Sequence, residues 1–468
     1  VTTISRVSPD PKTKPYLVLT VVGVGTLLSA MAGSMVNLAL PDLGRDLGIS
    51  IEESRWVVQS FLLAVGALLL PAGRLGDLLG HRRVYLIGYT FFGAASLLCG
   101  LAGSFASLVF FRVLQGLGSA MALAASPALL TLSFPEEQRG RALGMQSTAT
   151  YVGLTLGPTL GGLIVSALGW RWTFYVYVPV TLIILILGLG FLPRKKKDKR
   201  PKYDLAGALA LVLGLPLLLL LLSESQRWGL GFFMTWLSAG LGALGLSVFV
   251  LIQRRSASPL LDLNLFRSRM FTGASISAVA NYIALFCVTI LMPFYLEEGR
   301  GKSPAVTGMF LSVQPLLMAL AASPSGWLSD RIGSRGLATT GMLIMAAGLF
   351  GLSGLGPDSG ETVVILWLSM VGLGTGIFIS PNSSALMGSA PRKQQGAAGA
   401  VMAESRVLGM FIGVAMATAI YNAAGGQTGT RWNPEDFDAM HLAMLAGSAA
   451  ALLGALSASL RGKMNSEK

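Results

Sequence analysis

Apolar runs of about 20 residues recur from one end of this chain to the other, and no other feature restricts its fold so tightly. A run of that length crosses the hydrocarbon core of a bilayer as a helix, where every backbone polar group must be satisfied internally. Fourteen runs lie at roughly 17–40, 55–72, 84–102, 107–132, 141–167, 172–192, 204–222, 232–252, 270–295, 304–325, 337–356, 362–386, 395–421 and 440–460. Only 12% of the 468 residues are charged, against about 25% in a soluble domain. The first run, from Leu17, leads into further spans instead of a cleavage site and a soluble domain, so it reads as a crossing rather than a signal peptide. Cys99 and Cys287 both lie inside apolar runs, which argues against a disulfide framework or a cysteine-based metal site.

The net charge of +13 is distributed very unevenly. Loops on one side, with both tails, hold 26 of the 35 Lys and Arg residues; the other side holds seven, and Arg112 and Arg406 fall within spans. This is the positive-inside pattern. It predicts an even number of spans with both termini in the cytoplasm, and it assigns the basic excess to topology, not to nucleic-acid binding.

Two loops share the pattern G-x-L-x-D-x-[LI]-G followed by Arg: Gly73 to Gly80 with Asp77, Arg82 and Arg83, and Gly326 to Gly333 with Asp330, Arg331 and Arg335. Eight spans separate them, whereas a duplicated six-helix unit would place six there. The seventh and eighth spans are the best candidates for the extra pair. They follow the basic linker Pro193 to Pro201, and the seventh ends in six consecutive leucines, Leu217 to Leu222. The predicted organisation is a six-helix bundle over 1–195, a linker and two inserted helices over 196–255, and a second six-helix bundle over 256–468. Paired bundles with a site between them are a recurring transporter design.

Several motifs carry a family resemblance. The loop at Gly73 resembles the loop between helices 2 and 3 of the major facilitator superfamily. Leu108 to Gly116, with Arg112, resembles its helix 4 pattern; Gly153, Gly157, Pro158, Gly161 and Gly162 match the helix 5 antiporter pattern G-x-x-x-G-P-x-x-G-G; Met35 to Pro41 resembles the end of its helix 1 pattern. The chain is most similar to the fourteen-span drug:proton antiporter branch. That resemblance implies an all-α integral membrane protein of the major facilitator fold, in the cell (inner) membrane, with a cytoplasmic gate at the Gly/Asp/Arg loops and a hinge or seal in helix 5.

The candidate chemistry sits on a few residues within the spans. Gly153, Gly157 and Gly161 share one helix face, where another backbone can approach closely, and Pro158 removes a hydrogen bond mid-membrane. Arg112, Gln115 and Ser119 form a polar stripe at i, i+3 and i+7; a charge there costs at least a few kcal/mol and must face protein or a wet cavity. The branch pattern places an acidic partner nine residues before Pro41, where this chain has Ala32. Either Arg112 has another partner, or coupling differs, or that acid has been removed. Glu404 is the acidic residue placed in the apolar interior of a span; an ion pair and a proton or cation site are both open to it. Arg406, two residues on, points roughly 200° away at 100° per residue, and with Leu408 and Gly409 it fits the branch's helix 13 pattern.

Asn37, Trp56, Gln59, Gln115, Tyr151, Asn281, Tyr282, Gln314 and Asn382, with Glu404, are the candidate lining of a substrate cavity. Each alone reads equally as an interhelical hydrogen bond or an interfacial anchor. The function expected is proton-coupled efflux of lipophilic, cationic compounds by a monomer, with membrane lipids as surroundings and the proton gradient, not a cofactor, as energy source. An uncoupled or differently coupled exporter of lipids or metabolites is the alternative, and a non-transporting sensor a distant third. With only His81 and His441, no metal cluster or nucleophile–base pair points to an enzyme.

Overall fold

A computed structural model describes residues 14–135, 138–193, 204–228, 233–256, 260–390, 395–426 and 432–461; among them it is helical and contains no strand. The long helices are α1 (Pro15–Leu47), α2 (Ile51–Leu79), α3 (His81–Gly100), α4 (Phe105–Ser133), α5 (Arg139–Leu168), α6 (Trp172–Phe191), α7 (Leu205–Trp228), α8 (Phe233–Arg255), α9 (Arg269–Phe294), α10 (Pro304–Ile332), α11 (Ser334–Ser353), α12 (Glu361–Gly388), α13 (Gln395–Ala423) and α14 (Pro434–Leu460). Among the described residues thirteen are long and apolar enough to cross a membrane; in α7 the described apolar stretch is Leu205–Leu218.

Caps written in the sequence set the boundaries. Ser50 accepts a hydrogen bond from the Glu53 N–H and the Glu53 carboxylate accepts from the Ser50 N–H, a reciprocal box that starts α2. Ser303 caps α10, with Pro304 at the first helical position where no N–H is needed. At the two Gly/Asp/Arg loops a single glycine turns the chain, Gly80 at φ +96° and Gly333 at φ +88°, conformations that a side chain disfavours. These loops mark one end of the bundle, the basic end.

The duplication is visible in the packing. In the first half α1 lies on α5, α2 on α4, and α3 on α4 and α6; in the second α9 lies on α13, α10 on α12, and α11 on α12 and α14. Glycines open matching close approaches: a Cβ at Gly88 would lie 2.7 Å from the Gly118 carbonyl, and one at Gly341 would lie 2.6 Å from the Gly374 carbonyl. The α7–α8 hairpin stands outside this pattern. Its helices pair with each other through Gly214 and Gly245, and α7 also rests on α2 and α13.

The halves meet along two seams, α5 on α10 and α2 on α13. At the end opposite the basic loops they are joined by hydrogen bonds. Thr159 and Ser312 share one between hydroxyls (2.5 Å), the Ala305 N–H donates to Ser166 Oγ (3.0 Å), and Arg55 donates to Thr418 Oγ1 (3.4 Å). Gly162 admits the Pro304 carbonyl and Gly308 admits the Pro158 carbonyl, so the α5–α10 backbones touch there.

Candidate functional site

Glu404 stands on α13, nine residues from its start at Gln395 near the basic end. Gly409 and Gly413, four apart, seat this helix on α9, where added Cβ atoms would lie 2.6 Å from the Val279 carbonyl and 2.5 Å from the Ile283 carbonyl. Another side of α13 meets α2. A Cβ at Gly66 would lie 3.4 Å from Glu404 Oε1 and 3.1 Å from Val407 Cγ1, so the absence of a side chain at Gly66 makes room for the carboxylate. Both Glu404 oxygens are buried and have no hydrogen-bond partner. Arg406 makes no ion pair with it; Arg406 acts instead on Tyr282, whose Cβ packs at Gly409. The result is an uncompensated carboxylate on a seam between the two halves.

Arg112 is fully buried elsewhere, among α2, α3, α4 and α6. Its Nε donates to the Val57 carbonyl (2.7 Å) and its Nη1 to Gln115, and Gln115 Nε2 in turn donates to Ser96 Oγ (2.7 Å). The guanidinium lies 4.4 Å from the centroid of the Phe61 ring and 5.8 Å from that of Phe174, which supply the negative faces of two aromatic quadrupoles. Its Nη2 is buried without a partner. Arg112 and Glu404 form no ion pair, and Ala32 is wholly buried in the apolar core.

At the basic end, Asp77 Oδ2 accepts from Arg74 (3.2 Å) and Asp77 Oδ1 lies 3.4 Å from His81 Nε2, so its carboxylate is held by its own turn. Gly76 leaves space for the His81 ring, and Gly73 faces Ala124 of α4. Arg82 ties the turn to α6 through the Leu189 carbonyl (2.5 Å), and Arg83 is exposed. In the second copy Arg331 stacks on Trp327 at 3.7 Å, while the Asp330 side chain lies outside the described residues. In α5, Cβ atoms at Gly153 and Gly161 would fall 2.6 Å from the Leu27 carbonyl and 2.8 Å from Met35 Cγ, and Gly157 meets Ser34. One glycine face therefore seats α5 on α1, while Pro158 and Gly162 turn toward α10.

The scattered polar residues fall into separate environments. Asn37 donates to the Gly33 carbonyl (3.2 Å) with its Oδ1 unpaired; Asn281 points its amide at Met345 Sδ (3.2 Å) and Met342 Sδ (3.5 Å), again with Oδ1 unpaired. Gln59 and Gln314 are buried, Trp56 and Tyr282 half-buried, and the Tyr151 side chain lies outside the described residues. Asn382 braces the basic end: it donates to the Ala274 carbonyl (3.0 Å) and accepts from Arg461 (2.6 Å), which also reaches the Ser334 carbonyl (2.9 Å).

Sequence reasoning passed over Glu297 and Glu298. The ninth apolar run ends at residue 295, but α9 continues through a widened turn, Tyr295–Gly299, and carries both carboxylates into the packed end of the bundle. The signal was the cap at Ser303 with Pro304, which leaves only four residues for the connection. Arg55, at the edge of the second apolar run, is 2% exposed at the α2–α13 seam, a burial that its position in the sequence does not announce.

The chain resembles known transporters in sequence and in fold. The chain is 32% identical over 409 residues to the riboflavin transporter RibZ of Clostridioides difficile, covering 87% of this chain and 88% of that one. It is 32% identical over 404 residues to the tetracenomycin C resistance and export protein of Streptomyces glaucescens, covering 86% and 75%. The crystal structure of a D-xylose–proton symporter superposes with a TM-score of 0.68 at 15% identity, over 95% of this chain and 97% of that one. The family model described as Major Facilitator Superfamily matches residues 22–266 and 274–465, and this multi-pass membrane transporter belongs to that superfamily.

Proposed function

We propose that this transporter exports lipophilic, cationic compounds across the cell membrane in exchange for protons, by alternating access. The observation that carries the reading is Glu404: a buried carboxylate without a hydrogen-bond partner, on the α2–α13 seam between the halves. Leaving a charge there costs several kcal/mol unless a proton or a cationic substrate neutralises it. Proton and substrate therefore compete for one group, and competition at a site that faces one side at a time is antiport.

The positive-inside distribution puts the basic end and both termini in the cytoplasm, with the cell (inner) membrane as location. The joined ends of α5 and α10 then form the extracellular gate. Rocking must part the contacts at Gly162 and Gly308, while Gly153, Gly157 and Gly161 keep α5 on α1 as the half moves. At the cytoplasmic end, Asp77 with Arg82 and Arg83, and Asp330 with Arg331, act as the gate, and buried Arg112 sets the field across the first half. The polar set from Asn37 to Asn382 supplies cavity contacts for varied substrates. The chain works as a monomer among lipids, needs no cofactor and binds no nucleic acid. One proton moving down 100 mV supplies about 2.3 kcal/mol.

The riboflavin transporter among the relatives and the apolar Ala32 favour a second reading, an exporter of metabolites or lipids with different coupling. Counterflow of a fluorescent lipophilic cation in proteoliposomes separates the two. Under antiport, an imposed pH gradient drives accumulation and Glu404→Gln abolishes it. Accumulation indifferent to the gradient and to Glu404→Gln would refute it.

A further inference from the structure

A second buried carboxylate lies at the end of the bundle opposite the basic loops. Glu297 is 6% exposed and neither of its oxygens has a hydrogen-bond partner. The groups around it do not compensate its charge. On α1, Arg45 is already bound to Asp42 at 2.9 Å, so that element presents a neutralised pair. From α10 comes only the Thr307 hydroxyl, itself buried and unpaired. Along its own turn Glu298 adds a second carboxylate, which faces Arg45, Trp432 and Asp436. Arg300 turns toward the Tyr295 ring, and Lys302 is taken by Glu361. All of this occupies the end where the halves are joined through Thr159 with Ser312 and Ser166 with Ala305.

We propose that Glu297 is a second proton-binding site, one that takes its proton from the extracellular side while the halves are parted there and must hold it for them to close. The argument is electrostatic and geometric. Parting the halves admits water to the turn, and a hydrated carboxylate carries its charge at little cost. Closure strips that water and offers at most the Thr307 hydroxyl in exchange, a large loss for an ion and a far smaller one for the neutral acid. One O–H bond forms, with a proton from bulk water, and it breaks at the same face on reopening. Glu297 is therefore a latch: it adds no proton to those carried through Glu404, but makes closure sensitive to external pH. The direction of sign follows. Closed protein binds the proton more tightly, so acid favours closure and alkali favours opening, by at most about tenfold in the closed-to-open ratio per pH unit for one proton. The side from which the proton comes rests on the orientation proposed above.

The test is cross-linking of the gate in membranes. Thr159→Cys with Ser312→Cys places two thiols where the hydroxyls now touch, and the native Cys99 and Cys287 are buried. Thiol oxidation itself depends on pH, so Glu297→Gln and Glu297→Ala are each compared with the parent double-cysteine protein at every external pH from about 5 to about 8.5. The ratio of variant to parent cross-linking is expected to rise with pH, approaching about tenfold per unit above the midpoint. A flat ratio for both neutral variants overturns the site. Counterflow driven by an imposed pH gradient reports separately on antiport: its absence with a rising ratio sinks antiport and keeps the latch, and its presence with a flat ratio does the reverse.

Discussion

Gly162→Ala should open the protein at the end opposite the basic loops without unfolding it. A Cβ at Gly162 would fall well inside 3.0 Å of the Pro304 carbonyl oxygen, and only 3.0 Å from its carbonyl carbon and 3.1 Å from Ala305 Cα. The obstacle is backbone, which cannot rotate away as a side chain would. The helices must separate by about 1 Å to restore ordinary contact, and overpacking of this kind costs about 1–3 kcal/mol. Because α5 and α10 belong to different halves, that cost falls on the joined state alone and shifts its ratio to the parted state by roughly 5- to 150-fold. Gly153→Ala is the matched control. It drives a Cβ to 2.6 Å from the Leu27 carbonyl, a contact inside the first half that persists in both states. It should lower thermal stability by a similar energy and leave the gate distribution unchanged. Electron–electron resonance distances between spin labels at the exposed residues Leu168 and Met309, with melting in detergent alongside, make the comparison. The reasoning fails if Gly162→Ala leaves the distances as they were, or if Gly153→Ala shifts them as much.

Other outcomes follow from the same contacts. Arg112→Met strands the Val57 carbonyl and the Gln115–Ser96 network, and should cost about 1–3 kcal/mol in thermal stability; Arg112→Lys should recover only part, lacking the planar fork that reaches both partners. Gly80→Ala and Gly333→Ala force a side chain onto positive φ and should each cost about 1–3 kcal/mol, with the two losses alike because the loops repeat; losses that differ by more than that range would argue against equivalent turns. Ala32→Asp buries a new carboxylate in packed apolar surroundings, so it should lower stability without increasing pH-gradient-driven counterflow; a gain in driven transport would mean that coupling still waits on helix α1.

Much of this architecture was legible from residues alone because the bilayer leaves the backbone few options. Runs of apolar residues had to be helices, and the spacing between two Gly/Asp/Arg loops pointed to an extra pair of spans. The stripe of Arg112, Gln115 and Ser119 was readable because i, i+3 and i+7 share a face, but Ser96, the next member of its network, sits on a different helix and no periodicity links it. Glu297 was hidden for a related reason. Charges end a hydropathy run, so the run stops where the acids begin, although the backbone continues as helix and the tertiary packing buries the acid. Likewise Asp77 pairs with Arg74 and His81 of its own turn; the residues in the loop were evident, but that His81 would reach back to Asp77 depended on the direction in which α3 leaves Gly80.

The α7–α8 hairpin has a mechanical consequence. It rests on α2 and on α13 at once, and these helices belong to halves that must turn relative to one another if access alternates. A body that touches both can ride rigidly on one at most; against the other it must slide. The two hairpin helices are locked together, with a Cβ at Gly245 only 2.6 Å from Gly214 Cα, so slip within the hairpin is not available. The sliding surface would then fall to α7, whose leucine-rich sequence offers uniform side chains unbranched at Cβ. If access alternates, the α7–α8 hairpin would act as a bearing laid along the α2–α13 seam that holds Glu404.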